Sequence, residues 1–511
     1  MRIETTGQDL RKVIWRLAFL GVALWGIVYY LRLFDQKLLL GDEGVALMNA
    51  WRIALGEIPH RDFFSFIPPA SFLPTTALFK LFGPSLLVSR LIAFALAVLL
   101  CFSTDLVLRE LSAARPVRFM SLALLIPFGI SYWPIPSHHW WCDIWCLAAA
   151  ISLLRSAESG SPGRWAFAGG SSAALAALSL QDQGGYFLLL ASVLFLPSVQ
   201  AVKRKVIVVF SAGGVLSVFA LFAAWILPSA DAGRLFSDLV IFPITSYHNI
   251  EGHQGDILSG WNQILPILSP SFFFKAPFYL ASLAAITILF MALPVLSASA
   301  LCAGTLKNKQ PRHHVALAAA LAISFFGAAL HRWSFTNIVW AFPGLVIPLA
   351  LFPSSGRTGK ALRLVASFFA VAALVFSFSF YHLSGDERLV TVRTSVGSLR
   401  TFKTNDTRDL IALLDYLEPR KKDGDTLFCG GFKGLINIFA LAKNSTPFND
   451  FPGYNTPEHL ASLEKCLRSG EVTWVCLPKS GGKPDEKLAA IVREGYLLEF
   501  ENSQYILYRL K

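Results

Sequence analysis

The chain has 511 residues, 54% of them hydrophobic and only 15% charged, with a mean hydropathy of +0.53. Soluble globular chains carry about half apolar and a quarter charged residues, so the composition excludes an ordinary soluble domain and reads as a polytopic membrane protein. The net charge of +12 does not indicate nucleic acid, because most Lys and Arg fall in short loops between apolar segments, where they orient a chain in the bilayer.

The first apolar segment, 13–31, follows Arg11, Lys12 and Arg16. No small-residue cleavage site precedes Arg32, so it reads as an uncleaved transmembrane helix and not as a secretory signal. Asp42 and Glu43 come next, in "GDEGVALMNAWRIAL". Val45, Met48, Trp51 and Leu55 fall at helical spacing, which predicts an amphipathic helix lying on the membrane surface. From the residues alone the two acids have two readings. Asp42 caps this helix while Glu43 favours its positive end, or the pair is functional. Further apolar segments lie near 86–108, 119–135, 139–154, 165–180, 185–199, 206–228, 277–300, 315–331, 337–353 and 362–382. The expected fold is mainly α, with about eleven transmembrane helices.

Alternate loops differ in charge. One set holds Arg109, Arg115 and Arg118; Arg155 and Arg164; Lys203, Arg204 and Lys205; Lys307, Lys309 and Arg312; Arg357, Lys360 and Arg363. The loops "SHHW" and "QDQGG" between them hold none. The charge bias places the N-terminus in the cytoplasm, and an odd number of spans places the tail outside. Two outer loops are long, about 33–85 and about 229–275. The tail, 385–511, alternates helical and strand patterns. "TRDLIALLDYLEP", "TPEHLASLEKCLRSG" and "DEKLAAIVREG" read as helices, while "DTLFCGG", "EVTWVCLP", "YLLEF" and "QYILYRL" read as strands. A small extracytoplasmic α/β domain is expected there. A Cys466–Cys476 disulfide is open to such a tail, and the seven cysteines fit no zinc spacing.

The block from Asp42 onward resembles the first extracytoplasmic loop of GT-C glycosyltransferases. The bacterial members similar to protein O-mannosyltransferases and to the lipid A aminoarabinose transferase carry the same order of features. A transmembrane helix leads to Asp-Glu, an amphipathic helix, Gly-x-x-Pro-aromatic-x-Asp-Phe, a Pro pair and an Arg in the next span. Here those positions are Asp42, Glu43, Gly56, Pro59, Asp62, Phe63, Pro68, Pro69 and Arg90, with His60 where the family often has an aromatic residue. The resemblance implies that 1–384 is a transmembrane catalytic domain. It also implies a polyprenyl-phosphate sugar donor, a glycan, lipid or protein acceptor, and a bacterial inner membrane with the tail in the periplasm.

Such a donor already carries a good leaving group. The reaction needs a base for the acceptor hydroxyl and positive charge for the departing phosphate. The resemblance gives the base role to Asp42; Glu43 orients it, binds sugar or starts the helix. Lys275, His331 and Arg332 are the candidates for the donor phosphate, with membrane-interface anchoring as the alternative use. His60, Arg61 and Asp62, His138 and His139, and Gln181 and Asp182 are candidates for sugar or acceptor binding. His138, His139 and Asp143 stand where metal-dependent relatives carry a second acidic motif; a divalent metal held by the two histidines with His248 or His253 is one reading, and contact with sugar or placement at the membrane interface is the other. Arg90, inside a span, needs a partner, for which an acid of the first loop is the candidate. The alternative function is a transporter or flippase of lipid-linked saccharides, which calls for charges near the bilayer midplane.

Overall fold

The computed structural model describes residues 2–34, 36, 38, 40–228, 231–246, 277–306, 310–330, 335–353, 355–383, 389–431, 433–449, 456–479 and 486–511. Among them, six helices are long and apolar enough to cross a bilayer: Asp9–Leu33, Leu86–Glu110, Ala201–Ile226, Phe278–Thr305, Arg312–Leu330 and Gly356–Leu383. Only 11% of the apolar window of Ala201–Ile226 is buried. Its Val209, Leu216 and Leu221 project outward, a surface suited to acyl chains and not to water. The chain is an integral membrane protein. The first helices are α1 (Arg2–Leu33), α2 (Asp42–Ala54), α3 (Leu73–Phe82), α4 (Leu86–Glu110), α5 (Arg115–Phe128), α6 (His138–Glu158), α7 (Pro162–Ala177) and α8 (Gln181–Leu190). The remaining expected segments fold as α5, α6, α7, α8 and Phe335–Val346. They join the same bundle but are shorter or, like α6 with its histidines and Asp143, more polar. The expected count of about eleven spans is therefore not established by length and apolarity.

The bundle core gathers Phe128, Trp140, Phe290, Phe325 and Phe342. Close helix approach depends on glycine. A Cβ on Gly170 would sit 2.1 Å from the Ser211 carbonyl oxygen, and one on Gly214 would sit 2.3 Å from that of Phe167. Backbones of α7 and Ala201–Ile226 thus touch directly, which gains packing where no water is available to drive association.

A second core forms at one end of the bundle. It joins Leu47, Met48 and Trp51 of α2, Phe63, Phe72 and Phe79 beyond it, and Val392, Leu410, Leu435 and Trp474 of the tail. The expected surface-lying helix is corrected here: α2 is buried from Ala46 to Ile53, because the tail covers the side that would otherwise face solvent. A Cβ on Gly44 would sit 2.6 Å from the Leu435 amide nitrogen. The tail helix Leu435–Phe439 therefore rests on the backbone of α2.

The tail opens with an antiparallel hairpin, β1 (Leu389–Thr394) and β2 (Gly397–Phe402), turning at Gly397 with φ +123°. A four-stranded sheet follows in the order β3 (Leu427–Cys429), β4 (Trp474–Pro478), β6 (Tyr505–Leu510), β5 (Tyr496–Glu501). Strands β3 and β4 are parallel, and the other pairs are antiparallel. The expected helices are present as Asn405–Leu417, Pro457–Arg468 and Glu486–Gly495. Thr456 starts the second of these, its hydroxyl accepting from the His459 amide at 3.3 Å. The Cys466–Cys476 disulfide does not form; both thiols are free, with Cys476 committed to β4 and Cys466 donating to the Ser445 carbonyl at 3.7 Å.

Candidate active site

The site is built on the first turn of α2. Gly41, not Asp42, occupies the cap position, and its carbonyl accepts the Val45 amide at 2.8 Å. Asp42 and Glu43 are then successive helical residues about 100° apart, and their fates diverge. Asp42 is exposed and Glu43 is fully buried.

Glu43 Oε2 lies 2.9 Å from Arg90 Nη2, and its Oε1 accepts the Ser89 hydroxyl at 3.1 Å. Arg90 supplies the partner question with its answer: an acid of the first loop does pair with it. Its Nη1 donates to the Pro134 carbonyl, and its own carbonyl accepts the Tyr30 hydroxyl at 3.2 Å. This one buried pair therefore joins α1, α2, α4 and the segment before α6. Burial raises the Glu43 pKa above its ordinary value, while the Arg90 charge and hydrogen bond oppose that shift.

At its far end α2 stops in a left-handed glycine turn. Gly56 has φ +96°, with the Gly56 amide on the Ile53 carbonyl and the Glu57 amide on that of Arg52. Arg52 is buried in the last turn. It donates to Glu57 Oε2 at 2.6 Å, the Thr446 carbonyl at 2.8 Å and Asn449 Oδ1 at 3.1 Å, and lies over the Phe63 ring. Asn449 also donates to Asn49 at 3.1 Å. Both ends of α2 are thus fixed, one to the bundle and the other to the tail.

The loop beyond is a tight turn at His60, φ 67°, whose amide donates to the Phe63 carbonyl at 2.8 Å. The His60 side chain is fully buried, with Nδ1 3.0 Å from Asp238 Oδ2. Asp238 belongs to a π-helical turn, Ser237–Ile241, in the second long loop. Arg61 and Asp62 pair with each other at 2.6 Å, and Asp62 Oδ2 also accepts the Ile58 amide at 2.8 Å. The Arg61 hydrogen bond leads in holding the Asp62 carboxyl below its ordinary value. Phe64, Phe242, Phe448 and His459 cluster with ring centroids 4.6–6.1 Å apart, so first loop, second loop and tail meet at one aromatic junction.

The other candidates lie at the same end. Ser137 caps α6 through the His139 amide at 3.3 Å. His139 stacks on Trp340 at 3.8 Å, with His138 beside it at 4.4 Å. One turn further, buried Asp143 accepts from Gln183 Nε2 at 2.7 Å. Gln181 Nε2 donates to the Phe66 carbonyl at 2.7 Å and approaches that of Leu239 at 3.5 Å, tying α8 to both long loops. Asp182 Oδ1 accepts the Gln183 amide at 2.6 Å. Lys275, His331 and Arg332 lie outside the described residues. Among the described residues, which leave out His248 and His253, no three His, Cys, Asp or Glu converge on a common point at this end.

Arg52 and Asp238 were not singled out from sequence. Both carried a signal: each is a lone charge in an apolar run, "NAWRIAL" and "FSDLVIF", and such a charge needs a partner if the run is buried.

No protein family matches this chain, and no curated protein sequence does. Solved structures do. ArnT from Cupriavidus metallidurans, bound to undecaprenyl phosphate, superposes with a TM-score of 0.58 at 13% identity, over 96% of this chain and 97% of that one. Its apo state gives 0.60 at 13% identity, over 98% of each. The Archaeoglobus fulgidus oligosaccharyltransferase, in complex with Zn and sulfate, gives 0.51 at 13% identity, over 96% of this chain and 73% of that one. ArnT and the oligosaccharyltransferase are GT-C superfamily members, and this chain has their fold.

Proposed function

We propose that this protein is a membrane glycosyltransferase. It moves a sugar from a polyprenyl-phosphate-linked donor to an envelope glycan, lipid or protein acceptor at the outer face of a bacterial inner membrane. Its N-terminus lies in the cytoplasm and its tail, 385–511, in the periplasm. The fold shared with ArnT over nearly the whole of both chains supports this reading. ArnT was solved with undecaprenyl phosphate, and the archaeal oligosaccharyltransferase AglB with a dolichol-phosphate and an inhibitory peptide. The observation that carries it is local: an exposed carboxylate, Asp42, projects from a helix end that a buried Glu43–Arg90 pair immobilises.

Asp42 acts as general base. It takes the proton of the acceptor hydroxyl as that oxygen bonds to the anomeric carbon from the face opposite the phosphate. The carbon–oxygen bond to the phosphate breaks, and the electron pair leaves with the lipid phosphate. The anomeric centre inverts. Because the leaving group needs no proton, one carboxylate suffices, unlike the pair a glycosidase uses. Glu43 is the positioning residue that fixes the first turn of α2. Lys275, His331 and Arg332 neutralise the departing phosphate. His138, His139, Gln181 and Asp182 form the rim that meets sugar or acceptor, and the Arg61–Asp62 pair flanks it. His60 holds the first long loop to the second.

The test is transfer by purified protein supplied with radiolabelled polyprenyl-phosphate sugars and envelope glycolipids. The expected result is label moving from lipid phosphate to acceptor with an inverted anomeric linkage. Movement of intact lipid-linked sugar across a vesicle bilayer, with no bond cleaved, would favour the flippase.

A further inference from the structure

A second cluster of ligating side chains lies at the opposite end of α6. The helix runs from His138 to Glu158, so at 1.5 Å per residue its last residue is about 30 Å from the first. His313 and His314, in the first turn of the helix Arg312–Leu330, turn both Nε2 atoms toward Glu158 there. Oε1 of Glu158 is 2.6 Å from His314 Nε2 and 3.3 Å from His313 Nε2. One ligand atom from each of the three lies within 4.8 Å of the others.

The neighbouring carboxylates behave differently. Asp105 pairs with Arg109 and Arg118, and Glu110 with Arg155, at 2.6–3.0 Å. Arginine is thus the ordinary counter-ion at this end of the bundle. Glu158 faces two imidazoles instead, and adjacent helical residues rarely direct both rings at one oxygen. Two imidazole nitrogens and a carboxylate, with room for water, make up the donor set of an open tetrahedral zinc site.

We propose that Glu158, His313 and His314 bind a divalent transition metal of the zinc class, with water completing the coordination. Bonds of about 2.0–2.2 Å place tetrahedral ligands roughly 3.3–3.5 Å apart. The His314–Glu158 contact must therefore open by less than 1 Å, and the His313–Glu158 separation already fits. The Glu158 side chain is 45% exposed, which lets it move and gives an ion a route in from solvent. His314 is buried and anchors the site in the bundle.

Two features make the site reversible. His314 Nδ1 is buried without a hydrogen-bond partner among the described residues, and lack of such outer support weakens metal binding by 10–100-fold. Lys203 Nζ donates to the Ala157 and Ser159 carbonyls at 2.7 and 3.3 Å, so a like charge stands beside the ion. A bound metal would cross-link the end of α6 to the start of Arg312–Leu330, bracing the bundle far from Asp42. On the charge bias of the loops this is the cytoplasmic side.

The experiment uses full-length protein in detergent, stripped with chelator and equilibrated with zinc chloride. Bound zinc is counted by mass spectrometry, thermal unfolding is followed, and cobalt(II) is substituted as a spectroscopic probe. Expected are one zinc per chain, a raised unfolding midpoint and a tetrahedral cobalt absorption band. All three are lost in H313Q/H314Q and kept in H138Q/H139Q. E158Q alters an exposed side chain, so it repeats the loss if the double variant fails to fold. Undiminished zinc in E158Q and H313Q/H314Q, or none in the wild type, overturns the proposal.

Discussion

Replacing Glu43 by Gln keeps the shape of the side chain and removes its charge, leaving Arg90 buried beside a neutral amide. The two side chains are 0% and 3% exposed, so neither charge is served by water. Removing one partner of such a buried pair costs about 3–5 kcal/mol. With unfolding entropy near 2.1 cal/mol/K per residue, a chain of 511 residues melting as one unit shifts by about 1 °C per kcal/mol. The unfolding midpoint of E43Q should therefore fall by roughly 3–5 °C, and further if the outer end melts alone. Asp42→Asn, at the exposed neighbouring position, should cost less than about 0.5 kcal/mol. Combining E43Q with Arg90→Met removes both charges and should recover most of the loss. Fluorescence-detected melting in detergent makes the comparison. If E43Q melts with D42N, or the double variant is worse than either single one, the pair does not anchor α2.

Three further outcomes are expected. Gly44→Ala drives a methyl group against the Leu435 backbone, so it should loosen the tail from α2 at a cost of about 1–3 kcal/mol; protease cleavage within 389–511 should quicken, and unchanged cleavage would contradict the direct seating of the tail. Asp238→Asn weakens the bond to His60 by roughly 1–3 kcal/mol, so amide exchange over 232–245 should accelerate while exchange in α4 does not. His459 has its pKa lowered by burial at the aromatic junction, so the unfolded state binds the extra proton first. Docking of the tail should therefore be strongest above the unfolded value of about 6.5 and weaken as pH falls through the lower folded one. Tail protection from protease should decline with acid in the wild type and much less in His459→Phe.

The sequence carried the bundle, the helix start at Asp42, the need of Arg90 for an acid, and most elements of the tail. These are local signals: apolar length, capping chemistry, alternation, and a charge too costly to bury alone. The position of α2 was not legible. Its apolar stripe fits a membrane surface as well as it fits a protein partner, and only the tail, nearly 400 residues later, decides between them. The hairpin β1–β2 was missed because "LVTVRTSVGSLRTF" resembles a polar linker until Val392, Val396 and Leu399 are seen packed in the second core. His60 reads from sequence as a candidate for sugar or acceptor binding, yet its side chain is buried against Asp238, a contact 178 residues away. Within the site, Asp42 and Glu43 are adjacent in sequence, and the direction each takes from the helix separates them.

The proposed reaction rests on Asp42 as its base. Purified D42N, shown to melt within a degree or so of wild type as a surface change should, is to be assayed for transfer from a radiolabelled polyprenyl-phosphate sugar under single-turnover conditions. The chemical step should fall by the 100- to 10,000-fold typical of losing a general base, with donor binding retained. Transfer by folded D42N at the wild-type rate would contradict it.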